Sequence, residues 1–365
     1  MIGPSGAGSL TQMVADARVA ALSDSLITLR QIPGLDRIII AHSPPTPLEL
    51  DSVSAPPIIW DPDPPERPFH FGQRLVEIIE RHNLSRILYL GAGSQPLLSL
   101  ATLQAACWQL GQQPLVITNN LHSADWALCN HAHMLRPIAH WLTRDNMLAW
   151  RLRHDLNFRA VALPPSAATR LDIDTPFDLQ ILAAHPHTSA HLRAYLNRIG
   201  PALNPNQLQR TVSILRTPGS RVTLIGRVSA ATSELLGSCQ LWTRVFSEER
   251  GMVANRRQAE DQVFSFIADY INQIGEGEFI NHLQRTSDLV LFDTRVYMAH
   301  HHLWPADEER FASDLGLTQK ISDARLRRLT EAVQNASIPV LLGGHNVVSG
   351  GIYALLDIAG LTTPE

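Results

Sequence analysis

Short apolar runs that end in a small-residue turn and hand over to a helix recur along this chain. That alternation restricts the fold more than any other feature. RILYLGAGSQPLLS (86–99) shows it plainly: a buried strand, then Gly91, Ala92, Gly93, Ser94 and Gln95, then Pro-Leu-Leu opening a helix that runs to Gly111. Before it come LDRIIIAHS as a strand and HFGQRLVEIIERHN as an amphipathic helix; after it comes PLVITNN as a strand. Residues 11–30 place Val14, Ala17, Ala21, Leu22, Leu26 and Leu29 at helical spacing. A later helix carries Trp141 and Trp150, and LDIDTPFDLQILAAH closes the series as a turn plus helix. Strands alternating with helices predict a mostly parallel sheet covered on both faces.

The pattern pauses and restarts. HTSAHLRAYLNRIG reads as a helix, and PALNPNQLQRT after it is polar and proline-containing. This places one domain at 1–195, a linker at 196–218 and a second, smaller domain at 219–365. The second repeats the grammar in RVTLIGRVS, SDLVLFDTRV and IPVLLGGHNVVSGGIYALLD, without a sequence repeat between the halves. The expected class is α/β throughout. The prolines of 44–68 predict a long surface excursion. GPSGAGS begins at residue 3 with almost no strand before it, so the first strand is very short or the true start lies upstream.

Bulk properties narrow the function classes. A formal net charge of −4 over 365 residues argues against general nucleic-acid binding, which needs a basic surface. No apolar run has the length of a membrane span. The three cysteines, Cys107, Cys129 and Cys239, form no CxxC pair and no disulfide framework. The start of the chain lacks the basic-then-apolar order of a signal peptide. The expectation is a cytoplasmic protein.

Several stretches carry chemistry. GPSGAGS, with Gly6 and Gly8, offers a glycine turn before a helix, where amides can hold a phosphate; it lacks the Lys-Ser/Thr of a P-loop. In LDIDTPFDL, Asp172 and Asp174 lie two apart, on one face of an extended segment, and so could address one cation. Thr175, Pro176 and Asp178 read as an N-cap, a first-turn proline and a capping-box acid. TNNLHSADW puts Asn119, Asn120, Ser123 and Asp125 past the end of a strand, the edge where open α/β sheets bind ligands; Asn120 or Ser123 could equally cap a helix. CNHAHM and AHHHLWP lack the spacing of zinc ligands. The second domain has three clusters: Glu248 and Arg250; Asp293 and Arg295; and Gly343-Gly344-His345, with His345 able to act as donor, acid or base. These clusters could also be no more than a tight turn and internal ion pairs.

LDIDTPFDL resembles the D-x-D-T-P-x-D-L signature of the MobA-like and CofC-like nucleotidyltransferases, over roughly residues 10–190. The resemblance implies a GT-A, Rossmann-like domain that transfers a nucleoside monophosphate from an NTP to a small phosphate or acid acceptor. It implies Mg²⁺ held by Asp172 and Asp174 as the catalytic pair. Gly6, Gly8, Gly91, Gly93 and Ser94 would approach the nucleotide, and Asn119, Asn120, Ser123 and Asp125 the acceptor. Two departures accompany it. The family's metal-binding Asp-x-Pro-Leu-Leu is here Ser94-Gln95-Pro96-Leu97-Leu98, and the glycine loop carries no Arg or Lys, Arg18 being the nearest. A neutral hydroxyl is a poor magnesium ligand. The alternative expectation is therefore a catalytically inactive relative that binds a small anionic ligand or serves as a regulatory or scaffold protein.

Overall fold

The computed structural model describes residues 8–43, 56–203 and 205–362. It is mixed α/β, and five of its seven strand pairings are parallel. No helix among the described residues is long and apolar enough to cross a membrane. The chain divides into two compact units. Among the described residues, one holds Arg18–Pro165; the other, the larger, holds Gly8–Ala17 and everything from Ser166 onward. Residues 196–218, expected as a linker, contain the end of the helix Ala190–Ile199, a short 3-10 turn and the helix Pro205–Leu215, all within the larger unit.

The first unit has β1 (Ile38–His42) paired in parallel with β2 (Ile58–Pro62). A second sheet contains β3 (Arg86–Leu90), β4 (Leu115–Thr118), β5 (Trp126–Asn130) and β6 (Arg159–Ala162), in the order β3-β5-β4-β6. β2 lies inside the proline-rich stretch read as an excursion; residues 44–55 of that stretch lie outside the described residues. β5 runs antiparallel to both neighbours, so this sheet is less parallel than the alternation predicted. The cause is local: Asn119–Asp125 is a tight connection, and a short loop can only join antiparallel strands. It caps no helix. Pro96-Leu97-Leu98 likewise stays in the turn, and the helix Leu100–Trp108 begins after Ser99, whose hydroxyl accepts from the Thr102 amide at 3.1 Å.

One polar anchor ties helix Phe71–Arg81 to β2. Arg74, 4% exposed, donates to Asp61 at 2.8 Å and to Asp63 at 2.8 Å. Burial alone would raise the Asp61 carboxyl, but hydrogen bonds from Arg74, His82 and Arg81 outweigh it and hold the group at about 2.

The second unit has a four-stranded parallel sheet: β7 (Arg221–Gly226), β8 (Trp242–Ser247), β9 (Leu289–Asp293) and β10 (Val340–Gly343), ordered β10-β9-β7-β8. β9 and β10 are buried at every residue, as expected of strands covered on both faces. The chain winds outward from β7 to β8, then returns to the other side for β9 and β10. The β7–β9 boundary is therefore a topological switch point, and in open α/β sheets the crevice at the carboxyl ends of such strands is where ligands bind.

Candidate functional site

Residues expected at two distant parts of the sequence meet at the carboxyl edge of the second unit's sheet. Leu171–Leu179 lies against the turn that leaves β10. Asn346 Nδ2 donates to the Asp172 carbonyl at 3.0 Å. A methyl group on Gly344 would lie 3.3 Å from Thr175 Cγ2, and one on Gly343 would lie 3.6 Å from the Phe177 side chain. The helix after that turn is seated just as closely: Gly350 rests on the Arg170 carbonyl, so even a Cβ there has no room. Glycine is required at Gly350 by approach, not by turn geometry.

The capping box holds as expected. Thr175 precedes the helix Pro176–Ala184, and Asp178 Oδ2 accepts from the Thr175 amide at 2.7 Å and the Asp174 amide at 2.9 Å. Asp178 is fully buried. Desolvation first, then the charge of Asp174, push its carboxyl up to about 7. With Asp178 engaged in capping, Asp172 is half-buried and Asp174 exposed. Among the described residues no three His, Cys, Asp or Glu side chains gather as a metal site. Two carboxylates alone do not cage Mg²⁺; a cation held by Asp172 and Asp174 would take the rest of its shell from ligand phosphates and water.

The second-domain candidates take distinct roles. Asp293, at the end of β9, is buried and pairs with Arg227, which follows β7; Arg227 Nε lies 2.6 Å from Asp293 Oδ2. Burial would raise this carboxyl, but Arg227 holds it below the usual range. Gly226, with φ of 116°, makes room: a Cβ there would meet Asp293 Cβ at 2.6 Å. Arg295 does not pair with Asp293. It forms a bidentate pair with Asp314, at 2.7 and 3.1 Å, that keeps its guanidinium charged despite burial. Glu248 is used structurally: it accepts from Ser265 Oγ at 2.5 Å and from the Phe266 amide at 2.8 Å, capping the helix Phe266–Ile274. His345 is exposed at the edge. Desolvation first, then the charge of Arg227, lower its imidazole to about 4, so it is neutral at pH 7. Exposed Arg250 contributes in the same direction. Arg227 and Asp314 were not singled out by sequence. Gly226, which ends β7 directly before it, was the available signal for Arg227.

The first unit assembles its candidates separately. Ser94 Oγ donates to the Gly91 carbonyl at 2.7 Å, closing the turn after β3. Gly93, with φ of 82°, lies under Arg18: a Cβ there would be 2.6 Å from Arg18 Cγ. Asn119, 1% exposed, donates to Asp125 at 2.7 Å and accepts from the Asp125 amide at 3.1 Å. Asn120 accepts from the His122 amide, and Ser123 accepts from Asn146 at 3.0 Å. These four residues form the β4–β5 connection.

The glycine loop is a third place. Gly6 lies outside the described residues. Gly8 precedes the helix Ser9–Leu29, where the Leu10 and Thr11 amides donate to Glu308 at 2.8 and 3.1 Å and Ser9 Oγ donates to it at 3.0 Å. The helix start expected to hold a phosphate thus holds a carboxylate of this chain. Burial opposes ionisation of Glu308, but those donors and Lys320 hold it below its ordinary value.

No protein-family model, no curated protein and no solved structure matches this chain.

Proposed function

We propose that this protein binds a small phosphorylated molecule, a nucleoside triphosphate with Mg²⁺ in the simplest case, at the carboxyl edge of the second unit's sheet. The observation that carries the reading is the hydrogen bond from Asn346 to Asp172, which fastens the acidic segment to the glycine–histidine turn beside the switch point. The edge is two-sided in charge. Asp172 and Asp174 suit a divalent cation; Arg227, Arg250 and neutral His345 suit phosphate oxygens as charges or as a donor. The Arg227–Asp293 pair joins the carboxyl ends of β7 and β9, and the buried Arg295–Asp314 pair ties the helix Thr294–His300 to the helix Asp307–Asp314. Binding needs no nucleophile, and none is assigned.

Calorimetric titration of the full chain with GTP, CTP and ATP, with and without Mg²⁺, tests this. The expected result is Mg²⁺-dependent binding of a nucleotide, weakened about tenfold or more by both Asp174→Ala and His345→Ala. Absence of binding, or binding indifferent to both changes, overturns it.

A second reading, nucleotidyl transfer to a small phosphate or acid acceptor, is favoured by one observation. Arg18 lies on Gly93 and so sets a cation beside the turn after β3 that the resemblance assigns to the nucleotide. In such a reaction positioning and charge neutralisation dominate. It predicts pyrophosphate release on adding acceptor, lost in Arg18→Ala. Nucleotide binding without pyrophosphate release across an acceptor screen favours the binding reading alone.

A further inference from the structure

The two edges of the second unit's sheet differ. β10 is closed: its residues are buried, and Gln207 Nε2 donates to the outward carbonyl of Val340 at 3.0 Å. β8 is open. Trp242 is 71% exposed and Phe246 is 37% exposed, and Arg244 between them is exposed as well. The Trp242 amide donates to the Ser220 carbonyl at 2.9 Å and the Glu248 amide to the Gly226 carbonyl at 2.9 Å. In a parallel ladder this turns the main chain of 242, 244, 246 and 248 toward β7, and that of Thr243, Val245 and Ser247 outward. Among the described residues no strand pairs with that outward row. The strand carries neither lysine nor proline, the usual protections of a free edge.

A row of unmatched amides and carbonyls is complementary to another strand, and the side chains beside it have the composition of an interface. Arg244 reaches the Thr286 carbonyl at 3.0 Å, which sets Trp242, Arg244 and Phe246 on the face that carries the helix Glu276–Thr286. Nearby, exposed Phe266 and Phe264 stack edge to face at 5.2 Å, next to the Glu248 cap. Exposed aromatics with arginine are what interface centres are enriched in.

We infer that two copies of this chain pair through β8, antiparallel, about a two-fold axis at Val245, and so extend one sheet into the other. The axis follows from register. A two-fold perpendicular to the sheet keeps each face with its own kind, so Trp242, Arg244 and Phe246 face the same set in the partner. Centring on Arg244 sets two like charges opposite each other, which is unfavourable. Centring on Thr243 pairs only residues 242–244 and leaves half of each strand unpaired. Centring on Val245 pairs residues 243–247 of each strand, sets the outward groups of Thr243 against those of the partner's Ser247, and places Arg244 against the ring of the partner's Phe246 in cation–π fashion, with no like charges opposite.

Sedimentation velocity of the full chain at micromolar concentration tests this, with Val245→Pro as the breaking variant. The Val245 amide points outward, so proline there removes a pairing donor and leaves the β7 ladder intact. The expected result is a dimer whose dissociation constant rises about tenfold or more in Val245→Pro, with circular dichroism unchanged. Two measurements keep the test valid if that variant misfolds. Val245→Cys forms a disulfide-linked dimer under oxidation that the parent does not, since paired strand residues lie within disulfide reach. Hydrogen exchange at Thr243, Val245 and Ser247 in the parent slows with protein concentration. A monomeric parent, a dimer untouched by Val245→Pro, or concentration-independent exchange at these amides overturns the inference. Pairing of β8 with an added strand peptide but never with itself overturns it in favour of a foreign strand.

Discussion

In the first unit the turns after β3 and β4 are closed by neutral groups and one carboxylate: Ser94 on Gly91, and Asn119 on Asp125. In the second unit the turns after β7 and β9 are closed by the buried Arg227–Asp293 pair, and beside them Asn346 holds an acidic segment against a glycine–histidine turn. Both regions sit at strand ends, where α/β sheets carry ligands. One uses hydrogen bonds that satisfy each other. The other sets full charges of both signs around an exposed imidazole. A self-satisfied turn sets backbone shape, whereas a charged edge held by buried pairs stores the means to bind an ion or a phosphate.

Breaking the charged side is expected to cost most. Asp293→Ala leaves Arg227 without its partner in a mostly buried place and should lower stability by about 3–5 kcal/mol in urea unfolding. A loss near zero would mean that the pair is hydrated and the contrast between the units is false. Next comes Asp178. Its carboxyl is raised from 3.8 to about 7, so the folded chain holds a proton that the unfolded chain releases. That contribution is complete below pH 3.8 and lost as pH rises through about 7. His345, lowered from 6.5 to about 4, acts oppositely: its contribution is present above pH 6.5 and lost as pH falls through about 4. The parent must therefore be compared with Asp178→Asn. The variant should gain on the parent at pH 8 relative to pH 5, by roughly 3 kcal/mol or less. Parallel pH profiles would show that Asp178 stays ionised.

The neutral side should respond more mildly. Asn119→Ala removes several hydrogen bonds from a buried turn and is expected to cost about 2 kcal/mol, read from the thermal midpoint. Ser94→Ala removes one bond to Gly91 and should cost about 1 kcal/mol or less. If Ser94→Ala abolished nucleotide binding while leaving stability intact, the first unit's turn, not the charged edge, would be the binding place.

What sequence could and could not give follows from the range of the signals. The capping box at Thr175–Asp178 is local chemistry over four residues and was legible. So were β7, β9 and β10, because strands buried on both faces read as continuous apolar runs. β5 and β6 were not, since WALCN and RAVA are short and take their strand character from neighbours. The candidate residues around Asp293 and His345 were legible as types but not as partners. Arg295 is adjacent in sequence yet pairs with Asp314, while Arg227 reaches Asp293 from across the sheet. The grouping of Leu171–Leu179 with β10 was invisible for the same reason: it depends on glycines at 343, 344 and 350 allowing backbone approach from far along the chain.

The most direct test of the charged edge is residue-resolved amide shift mapping of the full chain titrated with Mg²⁺ and a nucleoside triphosphate. The account predicts that the largest changes fall on Gly226–Val228, Asp172–Thr175 and Gly343–Asn346. Changes confined to Gly91–Gln95 and Asn119–Asp125 would contradict it and move the binding place to the first unit.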